Sequence, residues 1–212
     1  MATTNAEKSI SKQSASGFPI PAIPSSSIIA TDAHPNIQVQ NIVCSVNLSC
    51  PLNLTDINNR LRLSEYNPKR FPGAVLRLLE PKVTALAFAS GKMVVCGARH
   101  ETLASLGARK FARILQKIGY NVCLKDFKIN NMLGTSDLKF PVRLEDLNES
   151  HPQFSRFEPE LFPALIYRLV RPRTVVLIFV NGKVVITGGK SREELQLALD
   201  TMYPILRSFR KS

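Results

Sequence analysis

Negative charge is scarce in this sequence: 16 Asp and Glu stand against 28 Lys and Arg, a formal net charge of +12. Residues 1 to 36 add nothing to that excess, because Lys8 and Lys12 cancel Glu7 and Asp32. All of it falls on the remainder, and a basic folded region points to a polyanionic partner, nucleic acid or an acidic membrane surface. Metal-ligand spacing is missing too. Cys44, Cys50, Cys96 and Cys123 form no Cys-x-x-Cys pair, and His34, His100 and His151 are scattered without ligand spacing, so no zinc site is expected. No apolar run is long enough to span a bilayer, and the amino terminus lacks the charged-then-apolar pattern of a secretion signal. A reducing, intracellular setting is expected, with Cys44 and Cys96 serving as small apolar strand residues. Catalytic motifs are also lacking. Glu145, Asp146 and Glu149 lie near His151, but no nucleophile or phosphate-binding loop accompanies them. They read as a solvated loop, and the chain as no enzyme.

What is present occurs twice. One segment runs Arg70-Phe71-Pro72-Gly73, Arg77, Pro81, Leu86-Ala87-Phe88, Gly91-Lys92; the other runs Leu161-Phe162-Pro163-Ala164, Arg168, Pro172, Leu177-Ile178-Phe179, Gly182-Lys183. Phe71 pairs with Phe162, Arg77 with Arg168, Pro81 with Pro172, Phe88 with Phe179 and Lys92 with Lys183, each 91 residues apart. A period this regular implies two similar lobes. The chain divides into a Ser/Pro-rich tail over 1–36, expected to be disordered, a first repeat over 37–125 and a second over 126–212.

Each copy reads as strand, turn, strand, turn, strand. Period-two geometry puts Thr84, Leu86 and Phe88 on one face and Ala85 and Ala87 on the other; Val175, Leu177 and Phe179 oppose Val176 and Ile178 in the same way. Both faces are apolar, so a sheet of such strands must cover both or offer one to a partner. Helical segments are few. Thr55 to Leu63 reads as a short helix capped by Thr55. Glu101 to Ile118 reads as a long one burying Leu103, Leu106, Phe111, Ile114, Leu115 and Ile118, with Arg109, Lys110, Arg113 and Lys117 forming a basic stripe on the far side. The last opens on Ser191 with Glu194 three residues on, a capping box, and buries Leu195, Ala198, Met202 and Leu206. One long and one short helix per lobe cover one sheet face, and the other stays open.

That open face carries a limited chemistry. Asn41, Val43 and Ser45 share a face of the first strand, opposite Ile42, Cys44 and Val46; Asn131, Leu133 and Thr135 occupy the matching places 90 residues on. Arg77, Lys92 and Arg99 correspond to Arg168, Lys183 and Lys190. Symmetric cations suit a twofold-related polyanion, and a duplex has that symmetry in its two phosphate strands. Val, Leu, Phe, Thr and Asn between them suit the minor groove of A·T-rich DNA, which shows acceptors and no amino group.

Asn67-Pro68-Lys69-Arg70-Phe71, Ser90-Gly91-Lys92-Met93-Val94, Asp126-Phe127-Lys128-Ile129, Glu158-Pro159-Glu160-Leu161-Phe162-Pro163 and Ile178-Phe179-Val180-Asn181-Gly182-Lys183 resemble, in order, motifs of the TATA-box-binding protein family. The likeness runs from about Gln40 to Lys211. It implies an α+β saddle, two pseudo-symmetric repeats forming one curved antiparallel sheet of ten strands, with four helices on the convex side. It implies a nuclear general initiation factor that binds TATA or other A·T-rich promoter DNA, kinks it and nucleates pre-initiation complex assembly; minor-groove wedging is this family's known mode. Phe71, Phe88, Phe162 and Phe179 match the wedges. Asn41 and Asn131 match the central base contacts, and Val43, Leu133, Ser45, Thr135, Leu86, Leu177, Val94, Val185, Cys96 and Thr187 match the groove surface around them. Arg70, Arg77, Lys92, Arg99, Arg168, Arg173, Lys183 and Lys190 match phosphate contacts. Glu158, Glu160 and Leu161 match the stirrup gripped by transcription factor IIB. Arg109, Lys110, Arg113 and Lys117 match the helix contacted by other initiation factors. Implied partners are transcription factors IIA and IIB, the associated factors of the family and polymerase III initiation factors. Cys96 stands where the family has threonine, opposite Thr187. The alternative reading is a diverged family member that acts mainly by binding other initiation factors.

Overall fold

A computed structural model of the chain describes residues 35–211. The tail assigned to 1–36 lies outside the described residues except for Pro35 and Asn36. One order of elements occurs twice: β1 (Gln38–Asn47), α1 (Leu54–Arg60), β2 (Ser64–Glu65), β3 (Ala74–Leu78), β4 (Val83–Ala87), β5 (Lys92–Ala98) and α2 (Glu101–Lys117), then β6 (Lys125–Asp137), α3 (Leu144–Ser150), β7 (Ser155–Arg156), β8 (Ala164–Arg168), β9 (Val175–Phe179), β10 (Lys183–Gly189) and α4 (Arg192–Ser208). The strands form one antiparallel sheet in the order β2-β3-β4-β5-β1-β6-β10-β9-β8-β7. The order is symmetric about its middle, where β1 pairs with β6 and joins the lobes. The fold is α+β, a curved sheet with its helices on one side.

Alternation along the strands decides which face the helices cover. Ile42, Cys44 and Val46 of β1, Ala85 and Ala87 of β4 and Val176 and Ile178 of β9 are all buried. They share a core with Phe111 and Leu115 of α2 and Leu195, Leu199 and Met202 of α4. Burial pushes the Cys44 thiol up to about 11, so it stays protonated and packs as a small apolar group. Replacing Ile178, which is fully buried, with alanine is expected to cost about 2–5 kcal/mol of stability. Its partly exposed neighbour Leu177, on the other face, should cost clearly less when changed the same way. Urea denaturation of the two variants checks this; equal losses would contradict an uncovered face.

The helices differ from the sequence reading in four details, the first being that α1 ends at Arg60, short of Leu63. The cap of α1 is Asn53, whose side chain accepts the Asp56 N–H at 3.1 Å, and Thr55 lies inside the helix. Along α2 the buried positions are Ala104, Gly107, Ala108, Phe111, Ala112 and Leu115, while Leu106 is 44% exposed. Close approach to the sheet selects small residues there: a Cβ on Gly107 would lie 2.8 Å from Val83 Cγ2. The segment holding Glu145, Asp146 and Glu149 is helix α3, not a loop. Asp146 pairs with Arg143 at 2.6 Å, and His151 bonds the Tyr167 hydroxyl through Nδ1 at 2.9 Å. At α4 Ser191 caps as expected, accepting the Glu194 N–H at 3.2 Å.

Candidate nucleic-acid interface

Residues directly opposite in an antiparallel sheet share a face, so the register assembles the open surface row by row. In the first lobe Leu86 lies opposite both Val75 and Val94, and Val94 opposite Ser45. In the second, Leu177 lies opposite both Ile166 and Val185, and Val185 opposite Thr135. One row inward, Arg77, Thr84, Cys96, Val43 and Asn131 follow one another, mirrored by Arg168, Val175, Thr187, Leu133 and Asn41. Asn41, Asn131, Val43, Leu133, Ser45, Thr135, Leu86, Leu177, Val94, Val185, Cys96 and Thr187 are all partly exposed and lie on this one face. It is apolar and uncovered, with its polar groups near the middle.

The two asparagines are held by backbone that the sequence reading did not foresee. Ile42 lies opposite Ala98 while Val43 lies opposite Cys96, so Gly97 bulges out of β5. Gly188 bulges out of β10 in the same manner. Their φ values of +102° and +101° favour glycine. Each bulge turns its N–H to an asparagine: Gly97 donates to Asn41 Oδ1 and Gly188 to Asn131 Oδ1, both at 2.8 Å. A backbone N–H can be received only by the amide oxygen, so neither amide can flip, and the NH2 group is what each offers to a ligand. Such a ligand presents acceptors.

The phenylalanines meet in pairs at opposite ends of the face. Phe71 and Phe88 pack edge to face with centroids 5.8 Å apart, and Phe162 and Phe179 do so at 6.4 Å. Exposure of 36% at Phe71 and 40% at Phe162 is high for rings of this size. Gly73 lies beneath the first pair: a Cβ there would come within 2.7 Å of Phe71 Cε1. Ala164 holds the equivalent place in the second lobe, in keeping with the wider spacing of its pair.

Arg70, Arg77, Lys92, Arg99, Arg168, Arg173, Lys183 and Lys190 are all exposed. Arg77 alone among these makes an ion pair of 4.0 Å or less with a carboxylate in the described residues, at 3.2 Å to Glu65. The equivalent position beside Arg168 is Arg156, which turns to Glu158 at 2.7 Å. Two further cations belong to this surface and went unassigned in the sequence. Lys82 lines the same groove as Arg77, Arg99 and His100, and the 91-residue offset to Arg173 could have found it. Lys128 lies opposite Ser45, a register the sequence does not display.

The remaining sequence-predicted residues lie off this face. Leu161 is 80% exposed and Glu160 exposed, in the turn before β8, while Glu158 is engaged by Arg156. Arg109, Lys110, Arg113 and Lys117 are exposed along α2. Lys110 donates to the Glu80 carbonyl at 2.7 Å, and Arg113 reaches Gln116 at 3.4 Å. Among the described residues no group of three or more His, Cys, Asp or Glu side chains could hold a metal ion.

A family model described as "Transcription factor TFIID (or TATA-binding protein, TBP)" matches residues 36–118 and 126–209. The TBP-related factor of Drosophila melanogaster is 54% identical over 85% of this chain and 81% of its own length. TATA-box-binding protein 2 of Arabidopsis thaliana is 58% identical over 82% of this chain and 86% of its own. The chain spans 62% of the TATA-box-binding protein of Bombyx mori, at 55% identity. In structure it is similar to Methanococcus jannaschii TBP, with a TM-score of 0.73 and 37% identity over 82% of this chain and 99% of that one. The matched family is one of transcription factors, not enzymes. The family match covers both repeats, and this chain belongs to the TATA-binding protein family.

Proposed function

We propose that this protein acts in the nucleus as a general initiation factor, binding the minor groove of TATA or A·T-rich promoter DNA and bending it by wedging its phenylalanine pairs between base steps. The observation that carries this reading is the pair of locked amides. Asn41 and Asn131 present NH2 donors from the centre of an apolar face, and the A·T minor groove presents only acceptors there. The exposed cations around the face neutralise phosphate on both strands without reading sequence. On the outer surface, Glu158, Glu160 and Leu161 receive transcription factor IIB. The α2 stripe receives other initiation factors, transcription factor IIA and the family's associated factors among them. Electrostatic steering there governs association rate and partner choice.

A TATA duplex and a G·C control, each labelled at both ends, test the reading by titration and fluorescence energy transfer at two salt concentrations. Tight binding with an end-to-end approach on the TATA duplex alone supports it. Equal binding of both duplexes without bending refutes it and favours the alternative of a factor that works by engaging other initiation proteins. Arg168→Ala should weaken all duplexes about equally and lower the slope of log affinity against log salt by roughly one unit. Arg77→Ala should lose less, because Glu65 already competes for that side chain. A loss confined to one sequence would contradict a phosphate role.

A further inference from the structure

We infer that the two halves of the face are unequal toward guanine, with the Asn41–Cys96 half the stricter and the Asn131–Thr187 half the more tolerant. The inference rests on the minor-groove reading and adds a specificity determinant to it. In the second lobe Asn131 Nδ2 donates to Thr187 Oγ1 at 3.1 Å; the reverse arrangement, hydroxyl to Oδ1, is longer at 3.4 Å. That hydroxyl spends one lone pair on the amide and keeps the other, so this half offers a ligand both donors and an acceptor. In the first lobe Asn41 Oδ1 is held by Gly97 in the same way, but the residue in the threonine's place is Cys96, and a thiol is a weak acceptor. The only hydroxyl in this row of the first lobe, Thr84, stands on β4 beyond Cys96 and makes no hydrogen bond to Asn41. This half therefore offers essentially donors.

An A·T pair shows only acceptors in the minor groove, and a G·C pair adds the guanine amino donor. Against Asn41 that amino group meets another donor, and both are buried unpaired. Against Thr187 it finds an oxygen. The protein should accordingly turn its second lobe toward a central G·C pair whenever the site allows a choice.

A self-complementary duplex with an all-A·T site tests this with the full chain. One central pair is changed to G·C, then both symmetrically, and each change is repeated with inosine·cytosine, which lacks the amino group. The first G·C should weaken binding about threefold, because the complex can reverse; the second should weaken it by a further factor of about thirty, because the first lobe must then face one. Inosine should remove both penalties. Cys96→Thr should bring the second penalty down to the first, and Thr187→Cys should raise the first to the full value. Equal penalties for the first and second G·C in the natural chain overturn the inference, as does a Cys96→Thr variant that keeps the disparity. Weak binding to the all-A·T parent, or inosine penalised like guanine, is a different result: it overturns the minor-groove reading, and the inference with it.

Discussion

Changing Asn131 to aspartate is expected to eliminate tight, TATA-selective binding while leaving the protein folded. The carboxylate can take the Gly188 N–H as the amide does, and it can accept from the Thr187 hydroxyl, so the bulge in β10 keeps its partners. What changes is the group turned to the groove. A donor becomes an acceptor with a full negative charge, set against base acceptors and between two phosphate strands. The lost hydrogen bond, the unpaired groups and the repulsion together amount to about 3–4 kcal/mol, or roughly two to three orders of magnitude in affinity. Asn131→Ala is the less clean experiment, since it also strands the Gly188 N–H and draws on fold stability. Anisotropy titration of a labelled TATA duplex, beside a thermal melt of the free protein, reads both quantities. An aspartate variant that bound within tenfold of the natural chain would remove the amide from the groove, and the proposed function would lose its main support.

Asn131 is placed by its own strand but oriented by backbone far from it in sequence. Alternation placed Asn41 and Asn131 on the open face, because strand period is a local property. The repeat showed that they are equivalent. Neither feature orients an amide. Orientation comes from glycines 56 and 57 residues away in sequence, Gly97 and Gly188, whose bulges appear only when β1 is paired with β5 and β6 with β10. The buried side of α2 shows the same limit. Sequence period favours the large apolar residues, including Leu106, but contact with the sheet selects Ala104, Gly107, Ala108 and Ala112, since how close the helix comes is set by residues outside it, Val83 among them. The Glu65 to Arg77 pair is also non-local: it joins an edge strand to its neighbour, and nothing in the repeat announces it, since the matching residue is Arg156. The paired phenylalanines were legible because four aromatic residues recur in register beside turns, a pattern that core packing alone does not require.

Those phenylalanines carry the other large effect. Phe179→Ala should reduce affinity and bend together. In the free protein Phe179 leans edge-on against Phe162, with both rings at one end of the face. Prising a base step apart costs a few kcal/mol, which the added contact of the bent groove with the apolar rows must offset. Without the Phe179 ring, Phe162 loses the partner that fixes its angle, the step at that end closes, and the duplex straightens away from Leu177 and Val185. Lost ring burial and lost groove contact together weaken binding by about 3 kcal/mol, roughly a hundredfold. Energy transfer between the duplex ends should fall toward the free-duplex value by about the share of the bend owed to that end, with the Phe71 and Phe88 end still kinked. Changing Phe88 should reproduce this at the other end, and changing both should leave residual, salt-sensitive binding with no bend, because the exposed cations remain. If affinity fell while the bend stayed complete, the rings would be acting as adhesive surface, and the kink would have to come from the curvature of the sheet pressing on the phosphates.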